Sequence, residues 1–577
     1  MSQGASKARR IIRYGGQIAL GCCVRYEWIS ELAFVPIAIG LSWCLLAIGG
    51  VPMTHDGLGL VFIEAYRRAY HAGEYFPTWT AFGSHGHGTA LPLLYHRLHA
   101  QLAALLALET GTLVALKISI PVVLSVGAIG MRRLCRSKGV RPWVAWVAGV
   151  LLMSANYTVT DWYIRGATSE LTAFMLVPWG LRYTYELFDR KWGAVRLALT
   201  SSLIFLAHMM TFYFFAMTAA AIAVPAFLRL TALGRQRARA ALVRGLVVIG
   251  LITCAIGPLA AAVTYAAEFG GVTRLGMRPD ASAYFPWADY FADPNYSWSR
   301  AVVEGKVSVE IGRWILLCLA VFLLLSADAR AAVRKRAGDL ALLAVFFVAL
   351  QRQQMAFWFD LLPGASKIQF PSRLLVEIVP IAILCAAIAT EAALRSSVPY
   401  VRVLARVLPV VAALWQSNGA RGTQSAIWRH HVERSPAEKA LASNADLTTD
   451  VLSMYQSWDD FNPKRDAHPP PEAPYLEASE GCLVSLTGAF PVRVVKHNVE
   501  GDAATFTVVG NGCTVKLDQF RSTLLRVELS RPGEVLEAPD HSTLIEAPID
   551  GTVVRVRPRS VFDLATKWFI EKTRRFP

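Results

Sequence analysis

The stretch Leu32-Ala33-Phe34-Val35-Pro36-Ile37-Ala38-Ile39-Gly40-Leu41-Ser42-Trp43-Cys44-Leu45-Leu46-Ala47-Ile48, followed within a few residues by Met53-Thr54-His55-Asp56-Gly57, decides how the rest of the chain is read. An apolar run of this length, near residues 31–50, suits the thickness of a bilayer's hydrocarbon core. The basic start (Lys7, Arg9, Arg10, Arg13) leads into it without a small-residue cleavage site, so the run reads as a retained first span. A carboxylate then arrives where the chain leaves the membrane.

Further spans are expected from the same criterion near 111–130, 142–157, 171–188, 197–211, 212–228, 245–265, 311–327, 340–357, 374–394 and 398–416, giving about eleven. The 577 residues are 54% hydrophobic and only 17% charged, more apolar surface than a soluble protein of this size could bury. The formal charge of +16 would point to nucleic acid in a soluble protein, but here the cations fall in short loops between apolar runs. Arg132, Arg133, Arg136, Lys138 and Arg141 form one such group, and Arg229, Arg235, Arg237, Arg239 and Arg244 another, neither containing an acid. Basic short loops mark the cytoplasmic side, so the charge reports topology and no nucleic-acid partner is expected. Both groups being cytoplasmic, the stretch 197–228 must cross an even number of times, which a turn near His208 on the outer side satisfies. Arg402 and Arg406 in the last run are tolerable if their heads reach the inner face.

An odd count puts the N-terminus in the cytoplasm and everything after residue 416 outside, in the pattern of a multi-pass bacterial inner-membrane protein. Residues 1–416 are therefore expected to form the transmembrane domain, and 417–480, polar and containing His468-Pro469-Pro470-Pro471, a linker. Residues 481–577 alternate in short runs such as Thr505-Phe506-Thr507-Val508-Val509, the pattern of a small extracytoplasmic β-sandwich-like domain, with an amphipathic, interfacial helix over Val561 to Arg575. Seven of the nine cysteines fall in the N-terminal segment, the apolar runs or a cytoplasmic loop. Cys482 and Cys513 lie in the outer region, where they either form a disulfide or remain free.

The outer loops carry polar residues that packing does not require. Asp56 sits at headgroup level and either acts as a base or, with His55, marks a helix end in water. An amphipathic helix to His71 follows, then Gly73-Glu74-Tyr75-Phe76-Pro77-Thr78-Trp79, a glycine-rich segment Phe82-Gly83-Ser84-His85-Gly86-His87-Gly88, and a second amphipathic run with His96, His99 and Gln101 on its polar side. His85 and His87 have the spacing of two ligands for a divalent metal, without an evident carboxylate partner. In Asp161-Trp162-Tyr163-Ile164-Arg165-Gly166-Ala167-Thr168-Ser169-Glu170, Arg165 either receives a phosphate or pairs with Glu170. Lys367-Ile368-Gln369-Phe370-Pro371-Ser372-Arg373 offers two cations and an amide at the same level, or ordinary snorkelling at the interface. Tyr284-Phe285-Pro286-Trp287-Ala288-Asp289-Tyr290 supplies aromatics suited to a sugar ring or to an interfacial belt.

The run His55-Asp56-Gly57, Gly73 to Pro77 with Trp79, and Gly83 to Gly88 resembles the first outer loop of the GT-C superfamily of membrane glycosyltransferases. It looks closest to a bacterial branch containing YfhO-like proteins and those described as related to 6-pyruvoyl-tetrahydropterin synthase. Arg165-Gly166-Ala167 with Glu170, and Gln369-Phe370-Pro371 with Arg373, look like that branch's later motifs in the same order. The resemblance implies a GT-C-like fold and transfer of a sugar from a polyprenyl-phosphate-linked donor to a glycan, lipid or protein acceptor outside the membrane, with inversion. It implies Asp56 as general base, Arg165 and Arg373 at the donor phosphate, and His55, Glu170, His208 and Gln369 in positioning. His85 and His87 depart from the branch's pattern, and metal use varies across the superfamily. Two other functions fit a polytopic chain: a transporter or flippase of lipid-linked sugars, which would use Lys117, Glu377 or Glu391, and a non-catalytic scaffold of polysaccharide assembly.

Overall fold

The computed structural model describes residues 29–48, 59–80, 89–269, 310–312, 314–355, 357–361, 368 and 370–433. In the C-terminal region it describes 476–478, 483–486, 504–509, 513–520, 524–537, 542–547, 549 and 552–575. His55, Asp56, His85, His87, Gln369 and Cys482, and the aromatic segment Tyr284 to Tyr290, lie outside the described residues.

The chain is a polytopic helical membrane protein, and helix overlaps every one of the apolar runs read from the sequence. Four described helices are long and apolar enough to cross a bilayer on their own: Thr112–Ser137, Met209–Ala232, the helix from Arg235, and Pro371–Leu394. A fifth is formed if Pro142–Ser154 and Asn156–Ile164, bent by 40° at Ala155, make one broken span. The first run is also broken, into Phe34–Leu41 and Trp43–Ala47 around Ser42. Helices pack closely where small residues permit it: a Cβ on Gly149 would come within 2.8 Å of the Ala128 carbonyl oxygen. Around this contact Phe34, Leu124, Leu152 and Phe174 form part of one continuous apolar core.

The ends carrying the basic loops are fastened by buried carboxylates. Glu31 receives Arg132 at 2.7 Å and Arg133 at 2.7 and 2.9 Å. Glu391 accepts the Arg141 backbone N–H at 3.0 Å and the guanidinium groups of Arg141 and Arg395 at 3.2 and 2.9 Å. Arg402 turns back to the Ser396 carbonyl at 3.3 Å, at the start of its helix. At the opposite end of the first run, Lys117 donates to the Ile48 carbonyl.

The loop after the first apolar run contains helix Gly59–His71, which buries Val61, Phe62, Ile63, Tyr66 and Ala69 on helices Leu98–Thr110 and Thr112–Ser137. Its Glu64 is buried and takes Arg67 at 2.7 Å, Arg68 at 2.9 Å and the Thr112 hydroxyl at 2.5 Å. Burial alone would raise this carboxyl, but those hydrogen bonds outweigh it and hold it below the usual range. Thr80 and Thr89 pair through two backbone hydrogen bonds of 2.9 Å, tying together the two ends of segment 81–88.

Two domain boundaries differ from the sequence expectation. Helix Pro399–Glu433 continues past residue 416, because Ala420, Thr423 and Gln424 are buried and Gln424 donates to the Leu41 carbonyl at 2.7 Å. The segment 417–480 is therefore helical at its start. At its other end, β1 (Leu476–Ala478) pairs with β4 (Cys513–Phe520) before residue 481. The sheet order is β1-β4-β7-β6, with β7 at Ser542–Ala547 and β6 at Glu534–Glu537. A second sheet runs β2-β3-β8-β5: Leu483–Leu486, Ala504–Val509, Thr552–Pro558 and Leu525–Leu529. All pairs are antiparallel, and β8 alternates buried Thr552, Val554 and Val556 with outward Arg555 and Arg557.

This domain rests on the loop after the first apolar run. The Thr78 hydroxyl donates to the Arg559 carbonyl at 2.6 Å. Trp79, 1% exposed, packs in a cluster with Leu93, Ala262, Tyr265, Leu524, Leu525 and Leu564. The first loop, one end of helix Arg235–Phe269 and the C-terminal domain therefore lie on the same side. A phosphatase reporter fused after Arg575 is expected to be active outside the cytoplasm and one fused after Lys138 inactive. Activity at Lys138 would reverse the orientation read from the basic loops.

Candidate functional site

Three separate stretches of chain, residues 157–170, His208 and Arg373, meet at the carboxylate of Glu170. Helix Asn156–Val159 runs into a π turn, Thr160–Ile164, in which the Arg165 N–H reaches the Thr160 carbonyl at 2.9 Å. Single π turns often re-aim side chains at functional positions. Gly166 then takes φ +76°, a conformation favouring glycine, and the Ala167 N–H returns to the Asp161 carbonyl at 2.8 Å. This tight reversal points Arg165 back along the chain and starts helix Thr168–Glu186 with Glu170 in its first turn, where the free N–H groups favour negative charge.

Glu170 is 2% exposed. Its Oε1 accepts the Tyr157 hydroxyl at 2.5 Å. Its Oε2 faces Arg165 at 3.2 Å, Arg373 Nε at 3.4 Å and His208 Nε2 at 3.7 Å, none of them aligned as a hydrogen bond. Arg165 also holds Asp161 at 2.8 Å and touches the Tyr157 hydroxyl at 3.5 Å. Two carboxylates thus share this guanidinium, and the pairing of Arg165 with Glu170 foreseen as the plainer reading is present. Arg373 comes from the 3-10 turn Pro371–Leu374 and lies over the Phe370 ring, 5.4 Å from its centroid.

His208 interrupts the run 197–228 as expected, ending helix Gly193–Ala207 and capping Met209–Ala232: its Nδ1 accepts the Thr211 N–H at 3.2 Å. Its ring lies 4.1 Å from that of His96, whose Nδ1 accepts the Met209 N–H at 3.3 Å. Desolvation first, then the charge of Arg373, pushes His96 down to about 3 against the pull of Glu170, so it is neutral and keeps a lone pair for that bond.

The sequence grouped His96 with His99 and Gln101, but the structure separates them. His99 pairs with Ser119 at 2.9 Å and Gln101 donates to the Tyr75 carbonyl at 3.4 Å, leaving only His96 in the cluster. Tyr157 is the other member that sequence reading missed. Its usable signal was its spacing from Asp161, one helical turn, next to a motif already singled out. The structure therefore unites Arg165, Glu170, His208 and Arg373 of the expected residues and adds Tyr157, Asp161 and His96.

Among the described residues no group of three His, Cys, Asp or Glu side chains could hold a metal ion. Of the groups a transporter would use, Lys117 is tied to a carbonyl and Glu391 lies in its ion-pair cluster. Glu377 is fully buried one turn beyond Arg373.

No protein-family model and no curated protein matches the chain. Among solved structures it is similar to an arabinofuranosyltransferase, AftD, from Mycobacteria, with a TM-score of 0.44 and 15% identity over 70% of this chain and 27% of that one. It is also similar to the oligosaccharyltransferase of Archaeoglobus fulgidus, with a TM-score of 0.40 and 13% identity over 73% of this chain and 59% of that one. The chain thus spans about a quarter of the AftD chain's length.

Proposed function

We propose that this protein is an inverting glycosyltransferase that moves a sugar from a polyprenyl-phosphate-linked donor to a glycan, lipid or protein acceptor on the outer side of the inner membrane. The observation that carries the reading is the convergence of Arg165, Arg373 and His208 on one buried carboxylate at helix ends, where packing asks for none of them.

In this reaction the acceptor hydroxyl loses its proton to a base as its oxygen bonds to the anomeric carbon. The bond from that carbon to the lipid phosphate breaks, and the electron pair leaves with the phosphate. Negative charge grows on the phosphate oxygens, so a guanidinium fixed beside them lowers the barrier.

Of the two arginines, Arg373 is better suited to that task. Arg165 is 11% exposed and already shared between Asp161 and Glu170, whereas Arg373 is 21% exposed and meets Glu170 through Nε. Arg165 then acts by positioning Glu170 and Tyr157. His208, with His96 behind it, bounds the other side of the cluster. His55 and Gln369 are proposed to position substrate, being sequence neighbours of Asp56 and of the Arg373 turn.

Asp56 is the proposed base. Its support is the resemblance; Gly59, three residues later in the sequence, lies so close to Thr168 that a Cβ there would sit 3.3 Å from the Thr168 hydroxyl.

Purified protein supplied with polyprenyl-phosphate sugars should turn the carrier over, and Asp56→Asn should lower turnover about 10²- to 10⁴-fold without changing yield. Unchanged turnover in that variant rules Asp56 out as the base. The arginines should separate in a second experiment. Arg373→Ala should cost roughly 10²- to 10³-fold in turnover while the protein stays monodisperse. Arg165→Ala strands two buried carboxylates and should destabilise the protein by about 3–5 kcal/mol, read as a drop in thermal stability in detergent. If Arg165→Ala is as stable as the parent and loses only donor use, Arg165 contacts the phosphate itself.

A further inference from the structure

A groove of about 490 Å³ runs between helix Arg235–Phe269 and the terminal helix Val561–Arg575. One wall is made by Gly257, Pro258 and Ala261, the other by Phe562, Ala565 and Phe569. The small residues leave a shallow floor at that level of the helix. Its volume is within the range of small-molecule sites.

The terminal helix has two stripes off its buried face. Phe562, Thr566, Phe569 and Thr573 recur at helical spacing along one of them, with Phe562 72% and Phe569 60% exposed. The two hydroxyls of that stripe do not look for water: Thr566 donates back to the Phe562 carbonyl at 2.8 Å and Thr573 to the Phe569 carbonyl at 3.0 Å. Thr264, across the groove, does the same to the Ala260 carbonyl at 2.8 Å. The second stripe is charged: Asp563 is exposed, and Lys567 and Glu571 are half-buried. Between them Leu564 is fully buried in the cluster with Trp79 and Ala262.

What lies against the apolar stripe is settled by its neighbour. Helix Arg235–Phe269 is apolar enough to cross a membrane, and its outward residues Leu246 and Ile249 are 57% and 63% exposed, as a lipid-facing surface requires. The groove is walled by this helix and by the apolar stripe of the terminal helix. An exposed apolar surface at that position has hydrocarbon as its natural solvent.

We propose that the groove binds the hydrocarbon chain of a bilayer phospholipid, and that the terminal helix lies in the outer membrane surface with its Phe562 stripe in the lipid and its Lys567 stripe in water. The helix would then hold the C-terminal domain to the bilayer while Thr78 and Trp79 hold it to the first loop. This does not depend on the reaction the protein performs.

The test uses the full chain in native membranes, with p-benzoylphenylalanine placed singly at Phe562, Phe569 or Lys567 and phospholipids bearing a clickable acyl chain. On illumination, adducts at Phe562 and Phe569 should exceed those at Lys567 by at least about tenfold, as expected for one immersed and one hydrated face. Ala261→Trp, which fills the groove, should cut the Phe569 adduct several-fold, while Leu246→Trp farther along the same helix should not, as expected where chain burial supplies the binding. Equal labelling of the two stripes, an adduct at Phe569 insensitive to Ala261→Trp, or crosslinking of Phe569 to protein in place of lipid would each overturn the proposal.

Discussion

Taking a carboxylate out of water costs several kcal/mol unless partners replace its hydration, and the arrangement around Glu170 follows from that requirement. A hydroxyl, two guanidinium groups and an imidazole surround it, and they come from helix Asn156–Val159 and the turn after it, the turn before Leu375–Leu394 and the break before Met209–Ala232. One buried charge therefore fixes the relative position of three helix ends. The basic loops at the other end obey the same rule through Glu31 and Glu391, but with full hydrogen bonds of 2.7–3.2 Å. At Glu170 Oε2 the three cationic or imidazole nitrogens stand at 3.2–3.7 Å. The carboxylates of Glu31 and Glu391 are closely hydrogen-bonded, whereas Glu170 Oε2 faces its three nitrogens without a well-aligned hydrogen bond.

Much of the helical framework was legible because the bilayer imposes a crude, one-dimensional test on sequence: apolar runs of a certain length, with cations between them. The break at His208 followed from the parity of basic loops alone. The extension of Pro399–Glu433 was not legible, since residues such as Ala420 and Gln424 look like linker until they meet Leu41. β1 was missed for a related reason: three residues carry no periodicity, and only pairing with β4 makes them a strand.

The site was partly legible. Glu170, Arg165 and Arg373 drew notice because polar residues at the end of an apolar helix need an explanation. His96 could not be assigned by that route, since it shares a polar row with His99 and Gln101 and only its contact with the ring of His208 distinguishes it. Tyr157 was hidden because it closes the apolar run 142–157 and so read as part of a span. For His96 the deciding fact is a contact between distant segments, which spacing does not encode.

Glu170 also bears on how a phosphate site can release what it binds. A bare guanidinium buried at a membrane surface would hold substrate and product phosphates alike, and equal binding of both does not speed the chemical step. An arginine already facing a carboxylate gives up part of that interaction when phosphate arrives and recovers it when phosphate leaves. The charge on the phosphate rises as the leaving group departs and is largest on the released monoester, so the attraction strengthens along the reaction and the competing carboxylate helps the product to leave. On the proposed reading, Glu170 is what makes Arg373 a reversible partner, and the hydrogen bond from Tyr157 keeps that carboxylate in place while the phosphate is exchanged.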